Sequence, residues 1–213
     1  MTELSVVPAG LRGGNKKKIA LFGGAFDPIH NGHLATIAAL ANSSIVDEIL
    51  VLPSGDRPDK PAATAASIRF DMCKVALEEY FRGDGRIVLS DLHSAQRVGY
   101  GTIDVVRYLQ GRADCEVFVV IGRELLSELH TWKEADSLKK DAQFLVVQRP
   151  GSDTHAVPEG WRVSFFQNPS DSWVAISSTA LRRMLKQGQS CAGLMPASVE
   201  LLCCQQQLYD RKA

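Results

Sequence analysis

Ile19-Ala20-Leu21-Phe22-Gly23-Gly24-Ala25-Phe26-Asp27-Pro28-Ile29-His30-Asn31-Gly32-His33 changes character twice along its length. The apolar run Lys18–Phe22 predicts a short strand buried on both faces. Gly23-Gly24 then break the pattern, and helical spacing follows over Gly32–Ala41. A strand that passes through a glycine turn into a helix is the opening unit of a doubly wound sheet, in which ligands bind at the carboxyl ends of the strands. Two glycines there let the main chain approach a phosphate with no Cβ in the way. The helix start adds unpaired N–H groups and a partial positive charge. His30 and His33 lie three residues apart and project from one side of that helix start, and Gly32 leaves the side uncrowded. Two such imidazoles can donate to one phosphoryl group and stabilise charge that builds on a leaving pyrophosphate. The spacing also suits a metal, but no third ligand motif accompanies the pair.

Outward from this stretch, apolar runs and helical patterns alternate. Strands are predicted at Glu48–Leu52, Arg86–Leu89, Cys115–Ile121, Ala142–Val147 and Trp161–Phe166. Helices are predicted at Ala66–Tyr80, with Phe70, Cys73 and Leu77 on one face, and at Thr102–Leu109. Glu124–Leu129, Glu134–Leu138, Ser178–Lys186 and Ala197–Gln205 complete the set. Strands that are apolar throughout, alternating with helices, imply an α/β fold: a doubly wound, mostly parallel, Rossmann-like sheet covered on both faces. The loop Ser54–Ala65 is proline-rich and charged, which suits a mobile segment over a site. Gly151–Gly160 is a second irregular stretch.

The 213 residues fit one domain, 18–213, behind a flexible leader, 1–17, that runs into the first strand through Lys16-Lys17-Lys18 and carries no apolar signal-peptide core. Lys plus Arg equals Asp plus Glu at 24 each, so there is no basic excess of the kind that binds a nucleic-acid backbone. Phosphate binding must then be local, which favours a small anionic substrate over a polymer. No apolar run approaches the roughly 20 residues that span a bilayer. The five cysteines, Cys73, Cys115, Cys191, Cys203 and Cys204, include no C-x-x-C pair. A reducing, cytoplasmic setting is the simplest reading, with Cys73 and Cys115 as small core residues.

A second candidate site is Ile176-Ser177-Ser178-Thr179-Ala180-Leu181-Arg182. Ser177 is placed to cap a helix, Ser178 and Thr179 add hydroxyls, and Arg182 can reach back as a forked phosphate donor. The same residues also suit a plain capped surface helix.

His30-Asn31-Gly32-His33 matches the H-x-G-H signature of the nucleotidyltransferase superfamily, shared in related form by class I aminoacyl-tRNA synthetases. The longer Gly-Gly-x-Phe-Asp-Pro-x-His run resembles the bacterial nicotinate-nucleotide adenylyltransferases. Ile176–Arg182 resembles that family's second signature, I-S-S-T-x-x-R, and the resemblance extends over nearly the whole chain from Lys18. It implies that Gly23, Gly24, Ala25, Phe26, Gly32, His33, Gly122, Ile176, Ser177, Ser178, Thr179 and Arg182 bind ATP. His30, His33 and Arg182 would be catalytic, and Asp27, Lys60, Thr102, Glu124 and Trp132 would meet the acceptor nucleotide. The chain departs from the family in four places. Asp59 precedes Lys60 where relatives have His, and Tyr100-Gly101 replace a Ser-Tyr pair before Thr102-Ile103-Asp104. Ile121-Gly122-Arg123-Glu124 stands for I-G-x-D, and Ala25 stands where many relatives have Thr or Ser.

The resemblance implies AMP transfer from ATP to nicotinate mononucleotide, giving deamido-NAD and pyrophosphate, with Mg²⁺ accompanying ATP and no metal ligands from side chains. The expected partners are ATP and a pyridine mononucleotide, with no nucleic acid or membrane and with homo-oligomerisation left open. Alternatives are the same chemistry on nicotinamide mononucleotide or phosphopantetheine, and a non-catalytic nucleotide-binding regulator. A tRNA-charging enzyme is disfavoured by the short chain, its neutral charge and the lack of a K-M-S-K-S signature.

Overall fold

The computed structural model describes residues 16–56, 62–148, 156–167 and 176–209. Six strands alternate with helices: β1 Lys17–Gly24, α1 Asn31–Ala41, β2 Glu48–Pro53, α2 Ala66–Tyr80, β3 Ile87–Leu89, α3 Thr102–Gln110 and β4 Cys115–Gly122. A 3₁₀ helix, Arg123–Thr131, precedes α4 Ala135–Asp141, β5 Gln143–Gln148, β6 Val163–Gln167, α5 Ser178–Lys186 and α6 Ala197–Gln205. The sheet order is β3-β2-β1-β4-β5-β6 and every pairing is parallel. The chain starts mid-sheet, builds outward to β3, then returns to the other side of β1. The crevice between the carboxyl ends of β1 and β4 is therefore a topological switch point.

The period-2 alternation of each strand divides its side chains between two cores. Ala20, Ile49, Val51, Val120 and Leu145 face α1, α2, α5 and α6. Ile19, Leu21, Leu50, Leu52, Val119, Phe144 and Val146 face α3, α4 and the 3₁₀ helix. Both sheet faces are covered, which is why the strands carry no polar alternation. Cys73 and Cys115 are buried in these cores, and all five cysteines are free thiols. None of the described helices is long and apolar enough to cross a membrane.

Four features differ from the sequence-based expectation. β1 runs on through Gly23 and Gly24, which pair with Leu52 and Pro53, so the turn begins at Ala25. Lys17 opens that strand instead of ending a solvated leader: it pairs with Glu48 at 2.8 Å, and both side chains are largely buried. Lys16 pairs with exposed Asp114 at 3.0 Å, while residues 1–15 lie outside the described part. The buried stripe of α2 runs through Arg69, Met72, Cys73 and Ala76, leaving Phe70 at its margin, because a fully buried arginine occupies a position that hydrophobic spacing passes over. β6 begins at Val163, not Trp161: the Trp161 N–H turns back to the Pro158 carbonyl while its ring packs edge-on against Phe144 at 5.0 Å.

Candidate active site

The loop after β1 is shaped by side chains folding over glycines. Phe26 holds a left-handed φ of 49°, and its ring turns back so far that a Cβ on Gly24 would meet Phe26 Cζ at 3.1 Å. Gly24 thus makes room for Phe26, whose ring meets His33 edge-on at 5.0 Å and Phe22 at 5.5 Å. Glycine at position 32 has a similar effect, since a Cβ there would sit 3.1 Å from the His30 ring and press it aside.

His30 is the N-cap of α1 and His33 its third residue, which puts both imidazoles on one side. The rings stack with centroids 3.6 Å apart. His33 Nδ1 accepts the His30 backbone N–H at 3.2 Å. A neutral imidazole that accepts at Nδ1 carries its proton on Nε2, so this bond sets His33 as an Nε2–H donor. The two histidines are not equivalent. His33 lines the cleft, whereas His30 is 3% exposed and packs behind it. The helix start offers fewer open amides than its sequence suggests, because the Asn31 N–H donates to Leu194 O at 3.0 Å.

At the other end of the chain, Ser177 caps α5, its Oγ accepting the Ala180 N–H at 3.2 Å. The next residues reach across to the first loop. Ser178 Oγ donates to Pro28 O at 2.9 Å. Arg182 Nη1 donates to Asp27 O at 2.7 Å, and its Nη2 to Thr179 Oγ1 at 3.2 Å. Two segments some 150 residues apart in sequence are thereby joined at the Asp27-Pro28 peptide. Ile176 packs on the adjacent core.

A cleft of about 300 Å³ opens beside this junction, over the carboxyl ends of β1, β2, β4 and β5. Gly23, Gly24, Phe26 and His33 form one side, and Thr102, Gly122, Glu124 and Trp132 the other. Trp132 is half-buried against Phe144 at 6.1 Å. Its neighbour Lys133 donates to both oxygens of Asp104, at 2.8 and 2.9 Å. Asp104 also accepts the Gly101 N–H at 3.1 Å, so one carboxylate ties the start of α3 to the tryptophan segment. Burial opposes ionisation of Asp104, but Lys133 and the Gly101 N–H outweigh it and hold the carboxyl below its usual range. The Glu124 carboxylate folds back over Gly122, where a Cβ would approach Glu124 Cδ to 2.6 Å.

Asp27 lies outside the cleft lining: it is 3% exposed, and its Oδ2 accepts the Ala63 N–H at 2.8 Å. Lys60 and Asp59 lie outside the described residues. Ala25 is exposed, and its carbonyl accepts from Arg69 at 2.8 Å. Arg69 is one residue that motif reading missed. Others are Tyr209 and His93; His93 lines the cleft with Tyr100, one of the departures from the family, their rings 6.0 Å apart. Tyr100 lies on Gly55, where a Cβ would come within 2.6 Å of its ring. Arg123 sits over the Phe165 ring at 5.2 Å.

At the switch point, the glycine-and-histidine loop is joined to a hydroxyl-and-arginine helix start. Residues 21–184 match the cytidylyltransferase-like family, and the chain belongs to it as a nucleotidyltransferase. Within that family the likeness narrows to one branch. The chain is 33% identical over 87% of its length to a Neisseria meningitidis FAM18 protein, and covers 96% of that protein, which is named a probable nicotinate-nucleotide adenylyltransferase. A Shouchella clausii protein of the same name is 34% identical over 91% of this chain and 97% of its own. A solved structure of Plasmodium falciparum nicotinic acid mononucleotide adenylyltransferase complexed with NaAD superposes with a TM-score of 0.78 at 21% identity, covering 91% of this chain and 97% of the other. At that identity the structural likeness establishes the fold.

Proposed function

We propose that the protein transfers AMP from ATP to nicotinate mononucleotide, releasing pyrophosphate and forming deamido-NAD for NAD biosynthesis. The observation that supports this reading is the junction at Asp27-Pro28: Ser178 and Arg182 donate to the loop whose flanking residues, Phe26 and His33, line the cleft. An oxygen of the acceptor's 5′-phosphate attacks the α-phosphorus of ATP in line. The new P–O bond forms as the bond to the β-phosphate breaks, and pyrophosphate leaves with the electron pair. No protein nucleophile is needed, since catalysis is positioning plus charge stabilisation. His33 Nε2–H and the Arg182 fork meet the charge that moves onto the leaving group, while Gly23, Gly24 and Ala25 give the phosphates main-chain access.

Around the signature loop the donor set suits Mg²⁺ carried in by phosphate oxygens and waters. The Asp27 carboxylate is already occupied by the Ala63 N–H and the Tyr209 hydroxyl, and the group of this loop that lines the cleft is the His33 imidazole, not a carboxylate. When bound, the cation neutralises charge on the phosphates.

The acceptor side carries Trp132, Thr102 and Glu124. The exposed face of Trp132 offers a stacking surface to a pyridine ring, and Glu124 can accept from a ribose hydroxyl. Stacking of a base on an aromatic side chain contributes about 1–3 kcal/mol. Trp132→Ala is therefore expected to raise KM for the pyridine nucleotide about tenfold while KM for ATP changes little. Steady-state kinetics with each substrate varied in turn checks this, and an unchanged KM for the pyridine nucleotide would remove the assignment.

The function itself is tested by pyrophosphate release from purified protein with ATP or CTP, against nicotinate mononucleotide, nicotinamide mononucleotide and phosphopantetheine. ATP with nicotinate mononucleotide is expected to be fastest, with deamido-NAD formed one-for-one with pyrophosphate. Faster turnover with another acceptor would reassign the substrate, and silence with all of them would favour a regulatory nucleotide binder.

A further inference from the structure

The segment after α6 makes a contact that adenylyl transfer does not explain. Two non-glycine residues there, Gln207 (φ 51°) and Tyr209 (φ 66°), adopt the left-handed conformation that L-residues disfavour. The Leu208 N–H returns to Cys203 O at 2.9 Å, and the turn lays Leu208 and Tyr209 on the core shared by α1, α2 and α6. At its end the Tyr209 hydroxyl donates to Asp27 Oδ1, 182 residues away in sequence.

Asp27 is where the site's supports converge. Its second carboxylate oxygen accepts from Ala63, just ahead of α2, and its main-chain oxygen accepts from catalytic candidate Arg182. Phe26 on one side bears against His33, and Pro28 on the other accepts from Ser178. A carboxylate this buried beside a triphosphate site must be held by donors, or it would repel the substrate and be costly to bury. Ala63 supplies one donor and Tyr209 the other.

We propose that Tyr209 is a positioning residue. By holding Asp27, its hydroxyl fixes the loop between Phe26 and Pro28, and through it the spacing of His33, Ser178 and Arg182 around the triphosphate. Burial, and then the Asp27 carboxylate, push the Tyr209 hydroxyl above its usual range, so it stays a donor throughout the working pH range. The inference rests on the reading of the site as an ATP site, but not on which acceptor is used.

Tyr209→Phe keeps the ring and its packing and removes only the hydroxyl, which meets Asp27 and also Thr64. The expected result is a fall of about tenfold in kcat, with KM for the pyridine nucleotide within about twofold and an unchanged circular dichroism spectrum, because misplacement of a reacting group costs rate more than binding of the distant partner. Asp27→Asn is expected to lower kcat to a similar degree, and the double variant to be no worse than the weaker single one, as for residues acting through one contact. Binding of ATP alone, measured by calorimetry, is expected to weaken several-fold in Tyr209→Phe. That arm needs no acceptor, so it decides the proposal even if wild-type protein turns over no pyridine nucleotide, which would instead overturn the proposed reaction. Wild-type kcat and ATP affinity in Tyr209→Phe would overturn the positioning role. So would losses that multiply in the double variant, since independent effects cannot come from one shared hydrogen bond.

Discussion

Replacing His33 with alanine is expected to lower kcat by about two to three orders of magnitude, the loss seen when one preorganised donor to a developing negative charge is removed. Three observations make His33 the larger of the two histidine effects. It lines the cleft, whereas His30 is buried behind it. Its Nδ1 is occupied by the His30 N–H, which commits the outward nitrogen to donation. Its ring is braced by stacking on His30 at 3.6 Å and by the edge of Phe26 at 5.0 Å, so little reorganisation is needed as charge develops. The fold is expected to survive, because His33 is only half-buried and its loss removes one capping contact and part of one ring cluster, about 1–2 kcal/mol. In a chain of this size that amounts to a Tm shift of only a few degrees. Pre-steady-state turnover with ATP and nicotinate mononucleotide, alongside thermal denaturation, separates the two effects. Turnover within threefold of wild type would remove His33 from the chemistry.

His30→Ala is a different experiment. Its ring lies against Gly32 and under His33, so its removal undermines the shelf on which the catalytic ring rests. The H-x-G-H spacing put both imidazoles on one side of a helix start, but periodicity cannot tell the ring in front from the ring behind. That distinction depends on how α1 docks against residues 193–194, where Asn31 donates to Gly193 O at 2.9 Å and to Leu194 O at 3.0 Å.

The same division between local and distant information runs through the molecule. α2, α5 and α6 begin and end where their sequence patterns do, because helical spacing, and at α5 the Ser177 cap, are encoded within a few residues. β4 reads clearly from its apolar run Val117–Ile121. Gly23-Gly24 look like a turn in isolation, yet they continue β1 because Leu52 and Pro53 lie alongside to pair with them. The expected short helix Glu124–Leu129 becomes a longer 3₁₀ segment, which lets Glu124 fold back on Gly122. Both phosphate signatures were legible, but their meeting at Asp27-Pro28 was not, since nothing local in either motif encodes a contact 150 residues away. Asp27 illustrates this most clearly. Family resemblance assigns it to the acceptor, while in the fold its carboxylate accepts from Ala63 and Tyr209.

Arg69→Met is expected to destabilise the protein by about 3–5 kcal/mol, the cost of leaving several main-chain carbonyls without a donor. Arg69 is 0% exposed. Its Nε donates to Thr64 O at 2.9 Å, Nη1 to Ala25 O at 2.8 Å and Ser54 Oγ at 3.3 Å, and Nη2 to Gly55 O at 3.3 Å. Its only carboxylate partner among the described residues, Asp56, lies at 3.4 Å, and that side chain is 66% exposed. Water screens such a pair, so the ionic contribution is small. The main-chain carbonyls decide the outcome. An apolar side chain of similar size often replaces a buried ion pair at no cost, because both charges can be exchanged for hydrocarbon. Carbonyls cannot be exchanged, and each one left buried and unpaired costs about 1–3 kcal/mol. For a chain of this length the loss corresponds to a Tm lower by roughly 6–20 °C. Arg69→Lys is expected to fall between, since one ammonium can reach some of these acceptors but not the whole fan. The damage is also directional: the Ala25 carbonyl is released at the turn that carries Phe26 and leads to His33, so turnover below the melting range is expected to fall with stability. Thermal denaturation and kcat for the three proteins test both halves. A Tm within two degrees of wild type for Arg69→Met would mean that the loops joined by Arg69 hold their places without it.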